Sequence, residues 1–130
     1  WSDSKQQITP EVFGELVQSL IVRRHFENNK KIQSDLENLR SEIDHIDDEI
    51  VNLLSNRMNI ARDIARYKKD NNIAIFQPKR WNDIIKRATK QAKKGGLSLD
   101  FIRRYLNGVH DESIDQQQRI MQNGKEADHN

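Results

Sequence analysis

The sequence predicts an all-α protein built around one very long helix. Apolar residues recur at steps of three and four from residue 34 to residue 70, as on one face of a helix. This stretch corresponds to a rod of roughly 55 Å at 1.5 Å per residue. Two shorter stretches have the same spacing, and Asn-Asn and Gly-Gly pairs separate them. Because so long a rod cannot be covered by the rest of the chain, we expect a second copy to pack along it.

A separate helix is predicted before the long one. Thr9 is a candidate N-cap, Pro10 stands at the first helical position, and Glu11 places an acid in the first turn. Polar and charged residues between 22 and 33 are typical of a linker, so we place a domain boundary near residue 33. The apolar residues that give this first helix its helical spacing are Phe13, Leu16, Val17, Leu20 and Ile21.

The remaining helices have recognisable ends. Asn71-Asn72 is expected to end the long helix, and a short extended piece follows. Pro78 then starts a second helix, which Gly95-Gly96 closes. Ser98 is the candidate N-cap of the third helix.

Composition excludes several classes of function. Only 35% of the 130 residues are apolar, so a monomer would have a thin core. The formal charge of +2 gives no case for binding nucleic acid or a membrane surface. The absence of cysteine excludes disulfides and thiolate metal sites and fits a reducing, cytoplasmic location. There is no signal peptide or long apolar span, and a start at Trp1 rather than Met suggests a processed or excised fragment.

One arginine interrupts the apolar stripe of the long helix. Arg57 occupies the slot between Leu53 and Ile60, where the spacing calls for another apolar side chain. Burying a guanidinium is costly unless a carboxylate meets it, so the position requires an internal acid or an acidic ligand. The stripe consists of Leu36, Leu39, Ile43, Ile46, Ile50, Leu53, Ile60, Ile64 and Tyr67.

Other polar residues share this pattern. Lys68 follows Arg57 by eleven residues, which places both on one face to within about 20°. Arg40 lies roughly a quarter-turn off that face, so it suits the pocket of a partner chain better than its own. With Arg80 on the second helix and Gln117 on the third, a pocket would hold several cations and no evident acid. The ligand that best matches such a pocket is a small molecule with more than one carboxylate.

Each of these residues also has an ordinary interpretation. Lone arginines on amphipathic helices usually reach solvent or pair with a neighbour, and Glu42 and Asp47 are available to Arg57. Lys68 suits a helix C-terminus, and Ser113 and Gln117 are each compatible with helix packing. Only their combination on different helices favours a ligand site.

From residue 36 to residue 121 the sequence matches one family pattern without a gap. The matching motifs are Leu39-Arg40-Ser41-Glu42-Ile43-Asp44, Asp47, Leu53-Leu54, Arg57-Met58, Tyr67-Lys68, Arg80, Leu97, Asp111-Glu112-Ser113-Ile114 and Gln117. In these motifs the sequence resembles the all-helical, AroQ-type chorismate mutases. The resemblance implies that residues 34–130 form a chorismate mutase domain of three helices in an intertwined homodimer, which rearranges chorismate to prephenate in phenylalanine and tyrosine biosynthesis without a cofactor.

The resemblance also implies residue roles. Arg57 would bind a carboxylate, and Arg40 would reach in from the other chain. Lys68 and Gln117 would meet the ether oxygen of the substrate. The supporting contacts would come from Arg80 and Ser113, and Gln77 would border the ring hydroxyl.

One position departs from the family pattern. The residue after Arg80 is commonly a glutamate that contacts the ring hydroxyl, whereas here it is Trp81, which has no acceptor. Gln77 or its backbone carbonyl could replace that contact. A related activity, such as lyase chemistry on isochorismate, stays open.

The first residues carry a second resemblance. Residues 1–10 followed by Phe13 look like the closing segment of a 3-deoxy-7-phosphoheptulonate (DAHP) synthase barrel. This predicts that residues 1–33 are the remnant of such a domain plus a linker, in a fused DAHP synthase and chorismate mutase.

Two non-catalytic alternatives remain. The domain could bind chorismate or prephenate to regulate the attached synthase. It could also be a plain dimerisation module that uses the basic face of the second helix. We expect no metal, because the four histidines are scattered without ligand spacing.

Overall fold

The computed structural model describes residues 8–128, with side chains as far as residue 123. It contains three helices in this range, α1 (Pro10–Asp70), α2 (Pro78–Lys94) and α3 (Leu99–Asp128), and no strand. The predicted all-α class is therefore confirmed. None of these helices is both long enough and apolar enough to cross a membrane, within the described range.

The predicted break before the long helix is wrong. Residues 22–33, which we expected to form a linker, continue the helix, so that α1 runs unbroken from Pro10 to Asp70. The segment contains neither proline nor glycine, and its arginine, lysine, glutamate and glutamine residues are good helix formers. Polarity alone therefore does not distinguish a linker from an exposed helix. The assignment of residues 1–33 to a separate domain stays a prediction, and residues 1–7 of the DAHP synthase resemblance lie outside the described range.

The predicted helix starts are confirmed by their hydrogen bonds. Val12 N donates to Thr9 Oγ1 at 3.2 Å at the start of α1. Phe101 N donates to Ser98 Oγ at 3.1 Å at the start of α3. In each case a side-chain oxygen satisfies a backbone donor that has no partner inside the helix.

The predicted helix ends are also confirmed, and they share one geometry. Asn72 adopts a left-handed φ of 54° after α1, and Ile73 N donates to Lys68 O at 2.8 Å. Gly96 has a φ of 75° after α2, and Leu97 N donates to Ala92 O at 2.9 Å. In each case an N–H group donates to the carbonyl oxygen five residues earlier, across a residue with a left-handed φ. This arrangement is the Schellman motif, and it turns the chain directly after the helix.

The chain divides into two units between Glu49 and Ile50, within α1. The described part of the first unit is a single stretch of helix, and its large apolar side chains are exposed. For example, 61% of Phe13 and 56% of Ile43 are exposed. A lone helix offers no second surface against which these side chains could pack.

The second unit contains residues 50–70 of α1 together with α2 and α3. Ala92 of α2 packs with Ile102 and Leu106 of α3, and the half-buried side chains of Trp81, Ile84, Ile85 and Ala88 lie against this cluster. α1 contributes Ala61 and Ala65, which are 5% and 0% exposed. These two small side chains are therefore the most buried positions of α1.

A polar contact fixes the register between α1 and α3. Arg62 Nη1 donates to Gln116 Oε1 at 2.8 Å, and Gln116 Nε2 donates to Glu112 Oε1 at 2.8 Å. These side chains lie beside the next residue of α3, Gln117, which is buried. The contact therefore helps to hold Gln117 at a defined position along the axis of α1.

The left-handed residue after α2 gives a stability prediction. Gly96→Ala would force an L-side chain into a φ of 75°, so we expect the free energy of unfolding to fall by about 1 kcal/mol. Gly95→Ala is a matched control, because Gly95 has a φ of −86° and its added Cβ would meet only ordinary contacts at 3.6 and 3.8 Å. Urea unfolding of both variants measures the difference, and an equal loss in both would contradict this interpretation.

Candidate active site

A cavity of about 340 Å³ lies within the second unit. Its walls come from the last turns of α1, the 75–77 segment, the first turns of α2 and the middle of α3. Six of the seven residues that the sequence predicts for the site line it. They are Arg57, Lys68, Gln77, Arg80, Ser113 and Gln117.

The cavity collects positive charge without a negative partner. Arg57, Lys68 and Arg80 line it, and no aspartate or glutamate is among its lining residues. None of the three cations takes part in an ion pair within the described part of the chain. The ordinary interpretation of Arg57, pairing with Glu42 or Asp47, therefore finds no support in this structure.

Lys68 is held by the end of its own helix. The Schellman turn at Asn72 folds the chain back so that Lys68 Nζ donates to the carbonyl oxygen of Ile75 at 2.7 Å. The side chain is half-buried against the cavity. Desolvation by this burial lowers the pKa of Lys68 below its ordinary value, because the charged form loses water contacts. The ammonium is thus directed by one hydrogen bond and keeps two further N–H donors for a ligand.

Ser113 and Gln117 form the polar part of the α3 wall. They are 9% and 7% exposed, and Gln117 Nε2 donates to Ser113 Oγ at 3.1 Å. Gln117 Oε1 is buried and has no hydrogen-bond partner among the described residues. A buried polar atom without a partner is costly, so this amide is poised to bind a polar ligand. Rotating the amide by 180° would let Ser113 donate to the oxygen and free both N–H groups for an acceptor.

The start of α2 supplies the opposite wall. Gln77 occupies the N-cap position in an extended conformation, and its side chain makes no capping hydrogen bond. The Gln77 side chain lines the cavity and is not used to cap the helix. Trp81, where the family pattern has a glutamate, is half-buried in the same wall.

His110 is a lining residue that the sequence reasoning missed. It lies one turn before Ser113 and two turns before Gln117, on the same face of α3. Its ring lies 4.2 Å from the Trp81 ring and meets Phe76 edge-on at 5.5 Å. The sequence does contain a signal for this position. His110 has helical spacing to Ser113 and Gln117, so it shares their face of α3, and a histidine on that face can contact a ligand.

Arg40 is not among the residues that line this cavity. It belongs to the first unit and is exposed on α1. Its predicted role in the pocket of a partner chain stays a prediction.

The arrangement suits binding and electrostatic stabilisation. Two guanidinium groups and one ammonium can hold two carboxylates, and the buried amide and hydroxyl can meet neutral polar atoms of the same ligand. Apolar side chains such as Ile60, Ile64 and Ile84 form the remaining walls. In such a partly desolvated setting each charged hydrogen bond is stronger than in water.

The three-helix fold holds a cationic cavity whose lining suits an anionic small molecule. A comparison with protein-family models matches residues 39–118 to the family described as chorismate mutase type II. The chain therefore belongs to the chorismate mutase type II family.

Several curated proteins are similar to part of this chain. A bifunctional chorismate mutase/prephenate dehydratase of Buchnera aphidicola is 33% identical over 89 residues, which cover 68% of this chain and 23% of that protein. The T-protein of Haemophilus influenzae is 31% identical over 78 residues, or 60% of this chain and 21% of that protein. A 4-amino-4-deoxychorismate mutase of Streptomyces venezuelae is 31% identical over 70 residues, or 54% of this chain and 68% of that protein. The chain thus spans about a quarter of the length of the first two.

The lowered pKa of Lys68 predicts a pH dependence of stability. Between the folded-state pKa and the unfolded value of 10.5, the unfolded chain binds more protons, so stability rises with pH. At pH values below this range Lys68 is protonated in both the folded and the unfolded chain. Its partly desolvated positive charge then lowers the stability of the folded chain. We therefore expect the difference in free energy of unfolding between wild type and Lys68→Met to move in favour of the wild type as pH rises toward 10.5.

Urea unfolding at a series of alkaline pH values measures this difference. Lys69→Met controls for the loss of one positive charge at the end of α1, since Lys69 does not line the cavity. A wild-type to Lys68→Met difference that is the same at every pH would contradict the prediction.

Proposed function

We propose that this protein is a chorismate mutase that converts chorismate to prephenate. The observation that carries the proposal is a cavity with three cationic side chains and no carboxylate among its lining residues. Chorismate carries two carboxylates, an enol ether oxygen and a ring hydroxyl, which match the charges and the neutral polar groups of this cavity. Membership of the chorismate mutase type II family supports the same assignment.

The reaction requires only what these side chains can supply. It is a unimolecular rearrangement in which a C–O bond breaks while a C–C bond forms, with no nucleophile and no proton transfer. A dianion held in its chair-like reactive conformer has already lost the conformational freedom that opposes reaction. Donors aimed at the ether oxygen then stabilise the negative charge that develops there in the transition state.

Each side chain has a role in this proposal. Arg57 and Arg80 bind carboxylates, and Ser113 supports that contact. Lys68 and Gln117 donate to the ether oxygen. Because a glutamine side chain is neutral at ordinary pH, this donor does not depend on protonation.

We further propose that two chains form a homodimer in which Arg40 completes the cavity of the partner. The apolar stripe of α1 supports a dimer, because Leu39 and Leu53 are 56% and 66% exposed. Packing the stripe against a second copy would remove this apolar surface from water. A second chain would also provide a route by which Arg40 reaches a cavity.

The exposed apolar face near Phe13 and Leu20 supports a further domain before this one. We propose that the full-length chain carries a DAHP synthase domain there, in a cytoplasmic enzyme of phenylalanine and tyrosine biosynthesis.

The direct test is the disappearance of chorismate, followed through the ultraviolet absorbance of its ring diene. We expect turnover by the wild type, and a loss of kcat by about two to three orders of magnitude in Lys68→Ala, because one preorganised donor is removed. Lys69→Ala, outside the cavity lining, should turn over normally. Binding of chorismate without turnover by the wild type would favour the regulatory alternative, and normal turnover in a folded Lys68→Ala variant would remove Lys68 from the site.

Mixed dimers test the role of Arg40. The Arg40→Ala and Arg57→Ala variants should each be nearly inactive alone. A heterodimer of the two has one cavity with both arginines if Arg40 acts in the partner, so random mixing should restore roughly a quarter of the wild-type activity.

Mixing Arg57→Ala with Lys68→Ala is the matched control. Both residues line the cavity of a single chain, so every cavity in that mixture lacks one of them and no activity should return. Equal recovery in the two mixtures, or none with Arg40→Ala, would show that Arg40 does not act in trans.

A further inference from the structure

His110 lines the cavity and has no part in the roles described above. His110 Nε2 is buried and has no hydrogen-bond partner among the described residues. The other ring nitrogen, Nδ1, lies 3.8 Å from the Asp111 carboxylate, and the ring is held between Trp81 and Phe76. A buried imidazole nitrogen without a partner is costly, so a ligand atom that meets it gains binding energy.

We propose that His110 is the residue that recognises the ring hydroxyl of the substrate. The proposal rests on the function proposed above. The guanidinium groups and the ammonium match the carboxylates and the ether oxygen of chorismate, which leaves the hydroxyl as its remaining polar group. A hydroxyl both donates and accepts hydrogen bonds, so it can pair with Nε2 whether that nitrogen donates or accepts.

The position of His110 along α3 fits this contact. It lies two turns before Gln117 on the same face of α3, and both residues line the cavity, so a single ligand can contact both. In chorismate the hydroxyl and the ether oxygen stand on adjacent ring carbons. A substrate whose ether oxygen meets Gln117 can therefore turn its hydroxyl toward His110.

The aromatic neighbours of His110 explain how it can be selective. Trp81 offers no acceptor for the hydroxyl, but its ring packs on the imidazole at 4.2 Å and restricts its orientation. Phe76 limits the ring from a second direction. A fixed and buried hydrogen-bonding atom discriminates strongly between a ligand with a hydroxyl and one without it.

The test compares two substrates and two variants. Chorismate and its 4-deoxy analogue both contain the atoms that rearrange, but only chorismate has the hydroxyl. His110→Phe keeps the aromatic packing and removes the polar nitrogen, whereas His110→Gln places an amide nitrogen near the position of Nε2. Thermal unfolding of each variant establishes that it is folded before kinetics are measured.

We expect His110→Phe to lower kcat/KM for chorismate by about tenfold to a hundredfold and to leave that for the analogue within about twofold. His110→Gln should recover part of the loss. His45→Gln is a control for the removal of a histidine, since His45 is exposed on α1 and lies 3.3 Å from Glu49.

The remaining outcomes overturn the proposal in distinct ways. An equal loss on both substrates would mean that His110 only supports the packing of the cavity wall. A hydroxyl preference that survives His110→Phe but disappears in Gln77→Ala would assign the contact to Gln77. Turnover of neither substrate by the wild type would refute the proposed function and this inference with it.

Discussion

The central constraint in this protein is positive charge that its cavity does not neutralise. Arg57, Lys68 and Arg80 converge on a partly apolar cavity whose lining residues include no carboxylate. Keeping cations there costs solvation energy, and the lowered pKa of Lys68 is one sign of that cost. A dianionic ligand offsets this solvation cost. The same cations that lower the stability of the protein by itself therefore provide binding energy for the substrate.

A helix-end turn and a hydrogen bond between two helices position polar groups of the site. The left-handed Asn72 turns the chain so that the Ile75 carbonyl fixes the Lys68 ammonium. The contact between Arg62 and Gln116 sets the height of Gln117 along α1. Donors that are positioned before substrate arrives need little rearrangement during reaction, and this is the condition under which electrostatic stabilisation is effective.

Sequence reasoning picked out residues that line one cavity, because helical spacing predicts which side chains share a face. Arg57 and Lys68, eleven residues apart, line one cavity as their spacing predicted. It missed His110, because a histidine becomes informative only when its neighbours Trp81 and Phe76 are known. It misplaced the start of the long helix, because the polar residues 22–33 fit an exposed helix as well as a linker. The role of Arg40 depends on a second chain, which no spacing within one chain can establish.

Calorimetric titration with an unreactive dicarboxylate that mimics the bicyclic transition state measures whether the cavity is built for a dianion. We expect one binding site per chain and an affinity at least about a hundredfold higher than for the same compound with one carboxylate converted to an amide, because Arg57 and Arg80 bind carboxylates in the proposed complex. Equal affinities for the two compounds would contradict this expectation, since the cavity would then not be built for a dianion.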